Sequence, residues 1–107
     1  MSTVHTFAEF ERAFRRARVD GYYSPGALRA LWERYQEDVD EAGAVLDLNP
    51  LRIACTFTEY GSARCATSDY GCSEDDFRDD AEAADWLNEQ TVVLQFPGGV
   101  VVQDFDL

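Results

Sequence analysis

The stretch that most restricts the fold is Thr91 to Phe105, TVVLQFPGGVVVQDF. Two runs rich in β-branched and aromatic residues, at 91–96 and 100–105, flank Pro97-Gly98-Gly99. Proline presets one turn torsion and glycine accepts a positive one, so the segment reads as a β-hairpin. A third strand is expected over residues 51–58, LRIACTFT, just after Pro50. There Leu51, Ile53, Cys55 and Phe57 alternate with Arg52, Ala54, Thr56 and Thr58. In that strand Cys55 takes the part of a small core residue.

The rest reads as helix. Thr6-Phe7-Ala8-Glu9 fits a capping box, and Phe7, Phe10, Phe14 and Ala17 form one apolar stripe up to Asp20-Gly21. Ser24-Pro25 opens a second helix whose face carries Leu28, Leu31, Trp32, Tyr35 and Val39, with Gly43 as its C-cap. A short helix is expected from about 62 to 70, with Gly71 after it, and another runs from Ser73 to about Glu89. The fold class that follows is α+β: a three-stranded, mainly antiparallel sheet, one central strand plus the C-terminal hairpin, with about four helices on one face. At 107 residues the chain is expected to be one domain spanning 1–107.

Charge narrows the function. There are 21 acids and 9 bases, all nine of them arginine, for a net charge of −12. Residues 1–32 carry +2 and residues 33–107 carry −14. A field of that sign repels nucleic acid and anionic membrane and favours basic partners, which in a cell are mostly nucleic-acid-binding surfaces. Aromatics at 13% argue against a disordered acidic tail. No apolar run approaches the about 18 residues of a membrane span, and no secretory leader is visible at the start, so a cytosolic protein is expected. Three cysteines, Cys55, Cys65 and Cys72, fit neither a disulfide framework nor a zinc motif.

The charge peaks in Ser73–Trp86, SEDDFRDDAEAADW, with seven carboxylates against one arginine. On one continuous helix, Phe77, Ala81 and Ala84 share a side, and Trp86 falls among the acids. A break near Asp79-Asp80 instead gives Ala83, Trp86 and Leu87 an inward face of their own, and this is the preferred geometry. Glu74, Asp75 and Asp76 suit the positive end of a helix dipole. Asp79, Asp80, Glu82 and Asp85 have no such explanation: aspartate is a poor interior helix former and like charges at i, i+4 cost about 0.2–0.5 kcal/mol per pair, so they are the excess with no structural return and the better candidates for function. Two readings stand: a solvated face, or a surface that meets Lys and Arg arranged for phosphates.

Catalysis is not expected. One histidine, His5, sits near the start, the carboxylates are crowded rather than isolated, and no Gly-rich phosphate loop or nucleophile elbow is present. Neither acidic run has EF-hand order. No catalytic residue, metal ligand or cofactor is assigned.

YYSPGALRALWERYQEDVDEAGAVLDLNPLRIACTFTEY at 22–60 and AADWLNEQTVVLQFPGGVVVQDF at 83–105 resemble a family of short acidic proteins of phages and prophages. Members of that group look like inhibitors of type I CRISPR–Cas systems, anti-CRISPR proteins that act as DNA mimics on the Cascade surveillance complex. The resemblance implies a protein of the bacterial host cytoplasm that binds a type I Cascade subunit, without binding nucleic acid or membrane itself. The expected partner-binding residues are Asp75, Asp76, Asp79, Asp80, Glu82 and Asp85. Glu33, Glu37, Asp38, Asp40 and Glu41 form a second patch. An antirestriction protein, or a regulatory protein binding through Tyr22, Tyr23, Tyr60 and Tyr70, is the alternative.

Overall fold

Helix starts in this chain are built by an oxygen-bearing side chain that caps the first free N–H groups. A computed structural model describes residues 6–43 and 48–105; His5 and residues 44–47 lie outside the described residues. Helix α1 spans Phe7–Arg16, with Thr6 accepting from the Glu9 N–H at 3.2 Å and the Glu9 carboxylate accepting from the Thr6 hydroxyl. Helix α2 spans Pro25–Ala42, capped by Ser24 and closed by Gly43 at φ +69°, a torsion that costs glycine nothing.

By its contacts the chain divides into two units, Met1–Thr56 and Phe57–Leu107. The first is held by rings. Phe10 and Phe14 are fully buried, and Phe10 lies 4.8 Å from Phe14, 5.4 Å from Trp32 and 5.9 Å from Tyr35, centroid to centroid. Tyr23 meets Phe14 edge-on and donates its hydroxyl to the Ile53 carbonyl at 3.0 Å. Phe7 sits under the Arg29 guanidinium, 4.9 Å from the ring centre.

The strand expected over 51–58 is mostly helix. Helix α3 spans Pro50–Thr56, and strand β1 begins only at Phe57 and ends at Tyr60. The reason is a capping signal that outweighs alternation: the Asn49 side chain accepts from the Arg52 N–H at 3.1 Å, and Pro50 stands at the first helical position. Ser24-Pro25 uses the same grammar. In consequence Leu51 and Cys55 are exposed, so Cys55 is not the core residue the alternating pattern implied.

The second unit is α+β by itself. Helix α4 spans Ala63–Asp69, and helix α5 spans Asp80–Gln90. Strands β2, Val93–Phe96, and β3, Gly99–Gln103, form the expected hairpin, joined through Pro97-Gly98 with Gly98 at φ +108°. The sheet is antiparallel in the order β1-β3-β2, pairing Phe57 with Gln103 and Val93 with Val102. The mid-chain strand therefore takes an edge, and the last strand takes the middle. Five α-helices, rather than about four, occur among the described residues.

Val100 and Val102 point from β3 into a core completed by Ala63 and Ala66 of α4 and Ala83, Ala84 and Leu87 of α5. Alanines on both helices let the backbones approach closely. Gly99 is required where it stands. A Cβ there would meet the Tyr60 carbonyl oxygen of β1 at 2.3 Å, closer than van der Waals contact allows.

Candidate functional site

The acidic segment is divided as the preferred geometry expected. A 3-10 turn covers Glu74–Asp76, Phe77 is extended at φ −129°, and α5 starts afresh behind Asp79. Each half carries its own cap. Ser73 accepts from the Asp75 N–H, while the Asp76 carboxylate accepts from the Ser73 N–H at 2.7 Å. Asp79 accepts from the Glu82 N–H at 2.9 Å. With two helix starts instead of one, Asp79, Asp80 and Glu82 all lie where backbone N–H groups leave partial positive charge. The expectation that these three had no structural return is therefore corrected: Asp79 caps α5, Asp80 accepts from the Arg64 N–H and Glu82 pairs with Arg78.

Two arginines secure the segment. The Arg64 backbone N–H donates to Asp80 Oδ1 at 3.0 Å, and its Nη2 donates to the Phe77 carbonyl at 3.1 Å. The first turn of α4 is thereby tied across both ends of the 77–80 link. Arg78 pairs with Glu82 at 2.9 Å. Beneath them Phe77 and Trp86 lie 6.1 Å apart and pack on the alanine core, with Trp86 meeting Phe105 at 6.3 Å. The break gives Ala83, Ala84 and Leu87 buried positions and leaves Trp86 half-buried.

Sequence reasoning passed over Arg64 and Arg78 as fastenings. The signal was present: they are the only two bases in residues 57–107, set among 12 acids, so the second unit has a net charge of −10. Of the six carboxylates expected to bind a partner here, Asp76, Asp79, Asp80 and Glu82 also hold the backbone or an arginine. Asp75 and Asp85 are exposed, and neither carboxylate has a partner among the described residues. The second patch belongs to the other unit, on α2. There Asp38 pairs with Arg34 at 3.2 Å and Glu33 lies 4.0 Å from Arg29, while Glu37, Asp40 and Glu41 are exposed.

Two tyrosines of the second unit are shifted by burial and by other carboxylates, Asp69 and Asp104. Burial pushes the Tyr60 hydroxyl well above its ordinary value of 10.0, reinforced by its hydrogen bond to Asp69 and by the Asp69 charge. Burial and the Asp104 charge also raise Tyr70, which stacks on Phe105 at 4.1 Å, while a backbone bond from Phe105 opposes the rise. A raised pKa in the folded state stabilises the fold fully below the unfolded value, and that contribution fades as pH rises toward the folded value. Stability of the second unit should therefore fall as pH rises above about 10, where unfolded tyrosine ionises. Urea titrations across that range, with Tyr60→Phe and Tyr70→Phe for comparison, should show the decline diminished in the phenylalanine variant.

The tyrosine surface named as an alternative is largely covered: Tyr23 is buried and Tyr60 and Tyr70 are half-buried, while Tyr22 is 65% exposed. Among the described residues, no three His, Cys, Asp or Glu side chains are gathered as a metal site. The cysteines are free thiols. No described helix is long and apolar enough to cross a membrane. No family model matches the chain, and neither the curated proteins nor the solved structures compared with it give a match.

Proposed function

We propose that the protein inhibits a type I CRISPR–Cas Cascade complex in the bacterial host cytoplasm by DNA mimicry. Its second unit offers carboxylates to the basic channel that receives target DNA. The observation that carries this reading is the preorganised acidic segment of Asp75 to Asp85, exposed and held by two caps and Arg64. Carboxylates at i, i+3 and i+4 on α5 lie about 5–6 Å apart at Cβ. Charges along one nucleic-acid strand recur about every 3.4 Å of axis, so the two spacings fall in one range. An array already fixed by its own fold loses little freedom when it meets Lys and Arg side chains. The contacts are charge-assisted hydrogen bonds, and the field speeds encounter. The resemblance to phage anti-CRISPR proteins supplies the choice of Cascade among basic partners.

The structure alters which substitutions test this. Asp79 and Asp80 are structural, so reversing them disturbs the helix start itself. Asp75 and Asp85 are free of such duties. At 85, lysine follows Glu82 by three residues and precedes Glu89 by four, replacing like-charge neighbours with opposite ones, worth about 0.2–0.5 kcal/mol per pair. The double variant Asp75→Lys, Asp85→Lys should keep its circular dichroism and unfold at a urea midpoint no lower than that of the wild type. Its inhibition of Cascade should fall by at least about 100-fold, because close interfacial charge pairs couple by about 1.5 kcal/mol or more each. Undiminished inhibition by this variant is the outcome that counts against an acidic interface.

A further inference from the structure

The acids are matched by a second charged feature that the proposed function leaves unused. The second half of α1 carries Arg12, Arg15 and Arg16, and Arg18 follows its C-cap; all four are exposed. Arg15 is paired within the helix to Glu11 at 2.7 Å. The guanidinium groups of Arg12, Arg16 and Arg18 have no hydrogen bond or ion pair among the described residues. Arg15 and Arg16 in the last turn complement the helix dipole. Arg12 gains nothing from that and stands one turn from Arg16, a like-charge spacing that weakens a helix.

Arg18 is the decisive position. Its N–H donates to the Arg15 carbonyl at 3.0 Å, and the Val19 N–H donates to the Phe14 carbonyl at 3.1 Å, the bonding pattern of a left-handed helix stop. Arg18 holds φ +61° there, the one non-glycine residue with positive φ among those described. Glycine is the ordinary occupant of such a stop, because a Cβ is strained in it. A guanidinium is thus kept where the backbone favours glycine. All nine bases in the chain are arginine, whose planar fork matches a carboxylate through two hydrogen bonds.

We infer that the arginine end of α1 docks the acidic segment of a second copy of this chain. Charge complementarity selects that occupant: the second unit carries −10, with Asp75 and Asp85 exposed and unpartnered. Both copies are acidic overall, but screening over about 8 Å at physiological salt leaves contact-range pairs to decide the outcome. The contact joins two different surfaces, so it is head-to-tail and leaves one arginine end and one acidic segment free in every open assembly. The inference stands independently of any host partner. If both hold, self-association and partner binding compete for the same carboxylates.

Sedimentation velocity over a concentration series at physiological salt tests it. Wild type should associate reversibly and dissociate at high salt. Arg12→Glu with Arg16→Glu should be monomeric, as should Asp75→Lys with Asp85→Lys. Mixed in equal amounts, the two variants should form a heterodimer, since one keeps the acidic segment and the other the arginine end. Arg18→Gly should raise the thermal midpoint while weakening association about five-fold, the worth of one good exposed ion pair. Wild type that stays monomeric throughout, or variants that fail to combine, as they would if each chain paired its own charges, overturns the inference. So does association indifferent to salt.

Discussion

Leu87→Ala is expected to destabilise the second unit by about 2–5 kcal/mol, a large fraction of what a small protein has in total. Leu87 is fully buried in a core it shares with Ala63, Ala66, Ala83, Ala84, Val100 and Val102. The alanines cannot swing into a vacated space, so any filling must come from the half-buried side chains packed against this core, among them Phe77, Trp86 and Val93. Because α5 carries the acidic segment, the same substitution loosens the surface assigned to binding. Urea unfolding followed through Trp86, in a Trp32→Phe background, reads the second unit directly. Leu87→Met, which nearly conserves volume, should cost less than about 1.5 kcal/mol. Similar losses for alanine and methionine would mean that packing at this position is not what holds α5.

Phe10→Ala should have an effect as large in the first unit, about 3–5 kcal/mol. Its ring is fully buried and faces Phe14, Trp32 and Tyr35 at 4.8, 5.4 and 5.9 Å. Tilted aromatic pairs contribute about 0.5–1.5 kcal/mol beyond the area they bury. Three are lost at once, so the cost should exceed that of removing a leucine of equal burial. Trp32 fluorescence in a Trp86→Phe background reports the transition. Phe10→Leu separates the terms, since it keeps most of the apolar volume and removes only the ring contacts.

How much of this was legible in the sequence depends on how local the signal is. Caps are local, and Thr6, Ser24, Ser62 and Ser73 begin helices or turns in the structure where the sequence placed or allowed them. The hairpin is local as well, being fixed by Pro97 and Gly98. The 51–58 strand failed because the alternation of Leu51, Ile53 and Cys55 takes no account of the cap in front of it. In the structure Asn49 and Pro50 start a helix there. The cap prevailed, since it satisfies N–H groups that alternation leaves to long-range pairing. That pairing begins only at Phe57, where β3 supplies it.

The acidic segment was half legible. Its division followed from where Trp86 had to face. Its purpose at Asp80 did not, because the partner is Arg64, 16 residues away; the cap at Asp79 and the Arg78–Glu82 pair were local and were passed over. A nonlocal fastening of that kind leaves only a faint trace, here two arginines in a strongly acidic half. What remains after the structural duties are subtracted is a smaller set, led by Asp75 and Asp85. The functional reading therefore rests on fewer carboxylates, each one replaceable without dismantling a helix start.

The most direct measurement is a titration of labelled target duplex into purified type I Cascade, with and without the protein, at fixed low salt. DNA mimicry predicts that the apparent Kd for target DNA rises in proportion to the protein added, and that Asp75→Lys with Asp85→Lys largely removes this competition. An affinity for DNA that stays unchanged with the wild-type protein in large excess would contradict it.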